Sequence, residues 1–382
     1  EIGGFRENCA LLMPLGEMHG IQAGSPVVAT GRPMITPVGG ELLGRVLDGL
    51  GRPLDGKGPL SDVERIPITN EAPHPLRRIP IRKAMPTGVR AVDGFLTCGA
   101  GQRMGIFAGS GVGKSTLLGM IARNSRSDIS VIALIGERGR EVQEFIERDL
   151  GVEGLGRSVV VVSTSDEPPL IRLKGALVAT TIAEHFRDQG MNVTFLMDSV
   201  TRFAMAQREI GLAIGEPPAT KGYTPSVFAA LPKLMERAGT SEAGTITGFY
   251  TVLVEGDDFT EPVTDTARSV LDGHIVLSRD LAAENHYPPI DIPNSVSRLM
   301  PTVADESHQQ AAAAGRQVIA TYNRSRDLVD IGAYAPGSNP EIDRALKLMP
   351  ELRAFLAQKP DEPSSFEETV SWLMAIFEDQ RG

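Results

Sequence analysis

The feature that most constrains the fold is a glycine-rich stretch that joins a short apolar run to a segment of helical pattern. Residues Ala108-Gly-Ser-Gly-Val-Gly-Lys-Ser115 follow the run Met104-Gly-Ile-Phe107, and a helix is predicted to begin near Lys114. In such a unit the backbone N–H groups of the turn converge on phosphate oxygens, and the helix N-terminus adds a favourable partial charge. The pattern therefore predicts a phosphate-binding loop. A chance Gly-Lys-Ser turn is the alternative, and the register of strand, glycines and helix argues against it.

The loop departs from the full pattern at one position, and its last residues predict individual roles. The pattern begins with glycine, whereas this chain has Ala108. A small side chain is tolerable there because Gly109 and Gly111 still give the turn its conformational freedom. By the chemistry of such loops, Lys114 neutralises the β- and γ-phosphates and Ser115 gives its hydroxyl to Mg²⁺. We therefore predict that the loop binds a nucleoside triphosphate together with Mg²⁺. The predicted nucleotide-binding residues of the loop are Gly109, Ser110, Gly111, Val112, Gly113, Lys114, Ser115 and Thr116.

Short β-rich runs alternate with helical segments through the middle of the chain. Continuous apolar runs are typical of buried parallel strands, and segments such as Leu177–Phe186 have helical length and pattern. The alternation predicts an α/β fold with a doubly wound parallel sheet. From about Ser307 the β-rich runs stop, which predicts a small helical domain at the C-terminus. The predicted strands are Met104–Phe107, Val131–Ile135, Val159–Val162, Val193–Met197 and Thr251–Val254, and the predicted C-terminal helices are Gln309–Arg326, Pro340–Leu356 and Phe366–Phe377.

The beginning of the chain differs from its middle. Apolar pieces such as Ala10–Pro14 and Pro26–Ala29 alternate with Gly and Pro, which predicts strands and turns rather than helix. Because the first residue is not Met, we expect the chain to begin partway through a longer protein. We divide it into the remnant of a β-domain at 1–30, a nucleotide-binding domain at 31–304 and a helical domain at 305–382.

Composition argues against several classes of protein. The 382 residues carry a net charge of −10, and basic clusters such as Arg77-Arg78 are short, so we expect no broad nucleic-acid surface. The two cysteines, Cys9 and Cys98, cannot form a disulfide framework, which favours a cytosolic protein. No run approaches the length of a membrane span, and the N-terminus lacks the pattern of a signal peptide.

Two carboxylates follow predicted strands and are candidates for chemistry. Asp198, after Phe195-Leu-Met, could hold the magnesium shell, but an aspartate there equally fits a helix cap. Arg202 lies one helical turn further on and could pair with Asp198 or contact a phosphate. Glu137 could orient or deprotonate the attacking water, although a charge-rich turn such as Gly136–Glu141 more often forms a surface Glu–Arg network. The residues alone leave both choices open.

Several long strings carry a resemblance to a known family. The chain resembles the catalytic subunits of rotary-type hexameric ATPases, most closely the ATPases of flagellar and type III protein export, over nearly its whole length. The resemblance implies a RecA-like P-loop core with the remnant of an N-terminal β-barrel and a C-terminal helical domain. The strings are PTGVRAVDGFLTCGAGQRMGIFAGSGVGKST (86–116), GERGREV (136–142), MDSVTRFAMAQREIGLAIGEPPATKGYTPSVFA (197–229), VEGDD (254–258), DGHIVLSRDLA (272–282) and YPPIDIPNSVSR (287–298).

The resemblance implies roles for five side chains around the phosphates. Glu137 takes the position of the catalytic glutamate, and Asp198 takes the Walker B position beside the metal. Arg138 and Arg202 fall where the family keeps arginines directed at the γ-phosphate. Arg298 matches the arginine finger offered to a neighbouring subunit, and such a residue makes hydrolysis depend on assembly.

Three further segments take a role from the resemblance. Tyr287 aligns with the aromatic residue that stacks on adenine, although a tyrosine before two prolines is also an ordinary packing residue. Tyr334 is a second candidate from the C-terminal domain. Glu216–Tyr223 is implied to be a pore-facing loop, with a plain Pro-rich connector as the alternative.

The resemblance also implies a function and partners. It implies an ATP-hydrolysing motor that assists delivery of export substrates, works as a homohexamer and sits in the cytoplasm at the cytoplasmic face of the inner membrane. The implied partners are a coiled-coil stalk in the pore, a stator-like negative regulator, export chaperones and their substrates, and the export gate at the membrane, with no nucleic acid. Family members carry a complete β-barrel domain that helps hold the ring. Because residues 1–30 are only a remnant of it, we expect this chain by itself to be largely monomeric and weakly active.

Four other functions fit the sequence less well. An injectisome ATPase is the nearest alternative, and Ile331–Asn339 resembles the flagellar branch more closely. The strings GERGREV and AMAQREIGLAIGEPPATKGY point away from the catalytic subunit of a proton-coupled ATP synthase. The acidic balance disfavours an RNA translocase of similar core. Glu137 argues against a non-catalytic ring subunit, since such subunits lack the catalytic carboxylate.

Overall fold

The chain begins with short strands that form separate pairs. A computed structural model describes residues 1–16, 18–22, 24–254 and 258–378, so part of the string VEGDD lies outside the described residues. The first two strands form an antiparallel hairpin, and the third and fifth form a second antiparallel pair. Pro26–Ala29 is irregular rather than a strand, because Val27 and Val28 are exposed and have no buried face. The strands are β1 (Ile2–Arg6), β2 (Cys9–Leu12), β3 (Ile35–Val38), β4 (Val46–Asp48) and β5 (Glu64–Pro67).

Within the described residues, the central element is a sheet of nine strands. The order across it is β13-β12-β6-β11-β9-β7-β8-β4, with β10 paired to β11. All neighbours are parallel except β13 and β10, which run antiparallel to their partners. The predicted parallel α/β fold is confirmed, and each predicted strand lies largely or wholly within a longer observed one. The later strands are β6 (Arg103–Ala108), β7 (Ile129–Glu137), β8 (Ser158–Thr164), β9 (Asn192–Asp198), β10 (Gly239–Thr240), β11 (Thr245–Leu253), β12 (Gly273–Val276) and β13 (Val296–Ser297).

Helices cover both faces of this sheet, which explains why its strands are apolar throughout. Along β7, Val131, Ala133 and Ile135 face one buried cluster, whereas Ile132 and Leu134 face the other. The α-helices are α1 (Arg90–Phe95), α2 (Lys114–Asn124), α3 (Gly139–Glu144), α4 (Gly151–Gly156), α5 (Pro169–Asp188), α6 (Val200–Ala213), α7 (Pro225–Met235), α8 (Pro262–Val270), α9 (Arg279–Ala283), α10 (Met300–Val303), α11 (Glu306–Asp330), α12 (Pro340–Leu356) and α13 (Phe366–Glu378). A π-helical turn at Phe145–Leu150 joins α3 to α4, and 3₁₀ turns lie at Gly40–Leu42, Pro75–Arg77 and Thr220–Gly222.

The C-terminal helices α11, α12 and α13 pack against α1. Two glycines allow the close approach: a Cβ on Gly94 would lie 2.8 Å from the Phe355 ring, and one on Gly315 would lie 2.6 Å from the Phe95 ring. The predicted helical domain is confirmed, with α12 at its predicted bounds. None of the described helices combines the length and the apolar character needed to cross a membrane.

Arg90 on α1 ties this domain to the sheet. Its guanidinium donates to the carbonyl oxygens of Phe355, at 2.9 Å, and of Ala357, and it pairs with Glu362. The same guanidinium lies 5.1 Å from the centre of the Trp372 ring, a cation–π contact. One buried cation therefore fixes the segment that follows α12.

Candidate active site

The glycine-rich loop lies between β6 and α2, as predicted. Gly111 and Gly113 have φ angles of +76° and +92°, a conformation in which a Cβ is strained. Gly113 is also the N-cap of α2, so the chain enters the helix directly from the left-handed region. The sequence GVGKS therefore folds locally because glycine occupies the two positions that reverse the chain.

Three charged side chains meet beside this loop: Lys114, Glu137 and Asp198, which we call the loop cluster. Glu137 and Asp198 are the last residues of the neighbouring strands β7 and β9, so both reach the edge where the parallel strands end. The Lys114 ammonium lies 2.5 Å from Asp198 Oδ1 and 3.3 Å from Glu137 Oε1. Thr251, on strand β11, which flanks β9 on the side away from β7, donates a hydrogen bond of 2.8 Å to the same Asp198 oxygen. Strand order thus gathers residues that are distant in the sequence.

Burial sets the electrostatics of the loop cluster. Removal from water raises the pKa of the Asp198 carboxyl above its usual range, and Lys114 only partly opposes this. Burial also raises the pKa of Glu137, and the nearby Glu141 carboxyl adds to the increase. Burial by itself would lower the pKa of Lys114, but the two carboxylates outweigh it and raise that pKa. The arrangement favours a protonated amine next to at least one ionised carboxylate.

A cavity of about 830 Å³ opens in front of the loop cluster, and two of the predicted arginines line it. Arg202 lies in the first turn of α6 and passes close to Gly136, where an added Cβ would come within 2.8 Å of it. Its Nε is buried and has no hydrogen-bond partner within the described residues. Arg138 is exposed and lies 3.8 Å from Glu141. Both guanidinium groups have donor capacity left for an anion in the cavity.

The structure adds three cavity residues that the sequence reasoning missed. Arg279, in the string DGHIVLSRDLA, reaches over the loop, so that a Cβ on Gly109 would meet its guanidinium at 2.5 Å. Asp149 accepts a hydrogen bond from Thr116, which lowers its pKa, although burial outweighs this and leaves the pKa raised. Arg148 lines the same cavity from the π-helical turn. No sequence pattern marked the turn as part of the site.

A second cavity, of about 610 Å³, adjoins the loop on the side of Tyr287. The Tyr287 ring is 43% exposed and lies 3.7 Å from where a Cβ on Gly113 would stand. Residues 357–360 and Glu362, which follow α12, also line this cavity, and the Gln358 N–H donates to the Tyr287 carbonyl at 2.9 Å. The structure therefore brings Tyr287 to the loop, beside a space open to a planar ring.

Tyr334 is not brought to the loop. Its hydroxyl donates to Asp343 at 2.9 Å and contacts Asn339, on the far end of the C-terminal domain, and it lines neither of the two cavities among the described residues. A nucleotide contact by Tyr334 stays a prediction that this geometry does not favour. These contacts indicate that Tyr334 stabilises the turn before α12.

Arg298 lies at the opposite edge of the sheet, where the parallel strands begin. Its N–H donates to the Asp272 carbonyl, and the Asp272 N–H donates to the carbonyl of Arg103, the first residue of β6. The loop follows the last residue of β6, so the length of that strand, roughly 17 Å, separates the two. The Arg298 side chain is exposed and points to no site of its own chain among the cavities described above.

The donors near the loop suit a magnesium–nucleotide complex. Ser115 lines the cavity, and the Asp198 carboxylate lies directly behind the Lys114 ammonium, so the available ligands are hard oxygens. Within the described residues no group of three or more His, Cys, Asp and Glu could hold a metal ion. Mg²⁺ commonly binds through one or two protein ligands plus substrate phosphates, and this site fits that mode.

Sequence comparisons place the chain among known ATPases. The profile of the ATP synthase alpha/beta family, nucleotide-binding domain, matches residues 88–297, and that of the T3SS EscN ATPase C-terminal domain matches residues 304–375. The chain is 56% identical to the flagellum-specific ATP synthase of Bacillus subtilis over 376 residues, covering 98% of this chain and 86% of that protein. It is 52% identical to the type 3 secretion system ATPase of Xanthomonas euvesicatoria over 379 residues, covering 99% and 86%.

Solved structures show the same fold. The assembled ATPase EscN from the type III secretion system of enteropathogenic E. coli superposes with a TM-score of 0.94 at 48% identity, covering 98% of this chain and 91% of that one. EscN in complex with its central stalk EscO gives a TM-score of 0.90 at 49% identity, covering 96% and 89%.

Proposed function

This chain belongs to the family of flagellum-specific and type III secretion ATPases, and from that premise we propose that it is the ATP-hydrolysing motor of flagellar protein export. The observation that supports this best is the loop cluster, in which Lys114, Glu137 and Asp198 meet at one sheet edge. A merely nucleotide-binding ring subunit has no need of a buried carboxylate aimed at the cavity.

The chemistry follows from the two contacts that Lys114 makes. The ammonium contacts the carboxylates of Asp198 and Glu137. Phosphate oxygens entering the cavity compete for this ammonium, and its move toward them frees both carboxylates. Glu137 is then available to orient or deprotonate the attacking water, and Arg138 and Arg202 stabilise the charge that develops on the γ-phosphate.

Ser115 and Asp198 are the residues we propose to hold Mg²⁺. The ion would neutralise phosphate charge as the bond to the leaving group lengthens. The hydroxyl of Thr251, 2.8 Å away, orients the Asp198 carboxylate, which would hold the ion together with Ser115.

Arg298 is proposed to complete the site of a neighbouring copy. Its exposure, and its separation from the loop of its own chain by the length of β6, are what a residue acting in trans requires. EscN is described both as an assembly and with a central stalk. We extend both properties to the working form of this protein, as a homohexamer around a coiled-coil stalk. A stator-like regulator, export chaperones with their substrates, and an export gate at the inner membrane belong to the same proposal.

The flagellar branch is our preference over the injectisome branch. Relatives from both branches match the chain over nearly its whole length, so either fits the site. The segment Ile331–Asn339, at the turn between α11 and α12, is the local feature that favours the flagellar assignment. The reaction is the same in both.

Replacing Glu137 with Gln tests the proposal. The amide keeps the shape of the side chain but cannot take a proton, so we expect ATP turnover to fall by roughly 100-fold or more while ATP binding is retained. Glu147→Gln is the matched control, because Glu147 is an exposed acid on the π-helical turn that bonds to Gln143 and lies outside the nucleotide cavities. Unchanged turnover in Glu137→Gln, with equal ATP binding, would show that the catalytic assignment is wrong.

A further inference from the structure

We propose that Arg148 contacts the α-phosphate of the bound nucleotide and so determines affinity for ATP and ADP alike. Arg148 lines the cavity in front of the loop cluster and also the cavity beside Tyr287. The other residues common to both are Gly113 and Thr116, which belong to the loop itself. Arg148 is therefore the one cationic side chain, among the described residues that line them, shared by the two cavities.

The position of Arg148 between the two cavities indicates which group of the bound nucleotide it contacts. This step rests on the proposed function: with the base beside Tyr287 and the β- and γ-phosphates at Lys114, the α-phosphate lies where the cavities join. A guanidinium suits a phosphate because it is always charged and presents paired N–H donors. None of the ion pairs among the described residues includes Arg148, and its charge acts to lower the pKa of the adjacent Asp149 carboxyl.

The backbone of Arg148 is held firmly against the loop helix. A Cβ on Gly119 of α2 would lie 2.6 Å from the Asp149 carbonyl oxygen, so only glycine lets the π-helical turn come so close. Leu150 is fully buried after it, and the Asp149 carboxylate takes a hydrogen bond from Thr116. The extra residue of a π-helical turn re-aims the side chains it carries, and such turns are frequent at functional sites.

The position of Arg148 separates its role from those of the other arginines. Arg138 and Arg202 line only the cavity in front of the loop cluster, where the terminal phosphate is expected. They distinguish ATP from ADP, whereas a contact to the α-phosphate is common to both nucleotides. The two roles are therefore distinguishable by binding measurements alone.

The experiment compares Arg148→Ala with the parent protein in binding of Mg²⁺-ADP, Mg²⁺ with a non-hydrolysable ATP analogue, and Mg²⁺-2′-deoxy-ADP, by titration calorimetry. We expect the Kd of all three to rise by the same factor, roughly 10-fold, because one charge-assisted contact is lost from each. Arg148→Lys, which keeps the charge, should recover part of the loss. Arg140→Ala is the control, because Arg140 is 86% exposed on the adjacent helix and lies outside both cavities.

Four results of the binding measurements would overturn the α-phosphate contact. The first is that Arg148→Ala loses no affinity for any nucleotide, and the second is that it loses affinity only for the ATP analogue. The third is a loss of affinity that disappears with 2′-deoxy-ADP, because such a loss reflects a ribose contact. The fourth is an equal loss of affinity in Arg140→Ala. Light scattering on the same samples monitors assembly, and a loss that merely follows dissociation also counts against the contact. If the parent protein binds neither nucleotide, the proposed function itself fails, which is a different outcome from a parent that binds and a variant that binds equally well.

Discussion

Two of the buried clusters of opposite charges in the protein differ in their organisation and, we infer, in their purpose. The loop cluster joins Lys114 to Glu137 and Asp198 at the mouth of a cavity. A second cluster, which we call the structural cluster, joins Arg237 to Glu184 with both side chains 4% exposed or less. Both place charge in a poorly solvated interior, where an ion without a partner is very costly.

The structural cluster leaves almost nothing unpaired. The Arg237 guanidinium donates to both oxygens of Glu184, to the hydroxyl of Thr181 at 2.8 Å and to the carbonyl of Ile68 at 3.1 Å. Asn70 donates to Glu184 at 3.0 Å as well. A network satisfied in this way holds α5 and the β10 region together and leaves little capacity to bind a ligand.

The loop cluster is incomplete by comparison. Lys114 has three donors and uses two of them on carboxylates, and the nearby Arg202 has a buried Nε with no partner. Burial raises the pKa of both carboxyls, which shows that their charges are only partly compensated. The comparison suggests that polar groups with unused hydrogen-bonding capacity beside a cavity indicate a binding site. Polar groups whose hydrogen bonds are nearly all made within the protein indicate a structural role.

The largest expected effect comes from removing the cation of the loop cluster. Lys114→Ala should lower ATP turnover by about 1,000-fold, equivalent to about 4 kcal/mol of transition-state stabilisation, because the phosphates lose their main charged contact. Steady-state hydrolysis measures this, with exposed Lys233→Ala as the control. The thermal midpoint should fall less than in the next variant, because the cavity lets water reach the remaining carboxylates. A turnover close to that of the parent would show that the loop cluster, like the structural cluster, has no role in catalysis.

Breaking the structural cluster should affect stability instead. Glu184→Gln leaves the Arg237 charge buried without a counter-ion, and we expect a loss of about 3–5 kcal/mol in the free energy of unfolding. Denaturant titration measures this, and nucleotide affinity of the folded fraction should not change. Glu367→Gln, in the exposed pair with Arg126, is the matched control and should show no measurable change in unfolding. Equal losses in the two variants would contradict the role assigned to burial.

A smaller effect is expected in the pH dependence of activity. Hydrolysis requires the ionised form of Glu137, which is present above its pKa, and that pKa is raised by burial and then by Glu141. Glu141→Gln removes the second contribution and should move the acid limb of kcat/KM to lower pH, with the neutral and alkaline rates little changed. A pH–rate profile of the parent and the variant measures the shift. An unmoved limb, or one displaced to higher pH, would show that Glu141 does not act on Glu137.

The residues of the loop cluster were predictable because each follows a recognisable pattern. Gly113-Lys114-Ser115 belongs to a local motif, and Glu137 and Asp198 end apolar strands. Their meeting is a consequence of strand order, since parallel strands deliver their last residues to one edge. The resemblance to export ATPases then favours catalytic over surface roles, a choice that the residues alone left open.

Other parts of the molecule had no local signal. Arg237 and Glu184 are 53 positions apart and meet only through tertiary packing. The π-helical turn with Arg148 depends on the missing Cβ of Gly119, whose effect appears only when the two segments are brought together. At Pro26–Ala29 the local signal was present but misleading. The composition favours a strand, but the segment has no buried face and is irregular. Long-range packing decides all three cases.

The placement of the loop and Arg298 at opposite edges of one sheet has a consequence for the number of complete active sites in an assembly. If Arg298 acts in a neighbouring copy as proposed, each copy has two unlike faces, one that receives an arginine and one that donates it, and contacts between unlike faces propagate in one direction. An open row of n copies completes only n − 1 sites, because the copy at one end receives no arginine. Closing the row into a ring removes that vacancy and completes all n. The specific activity per chain therefore measures closure as well as catalysis.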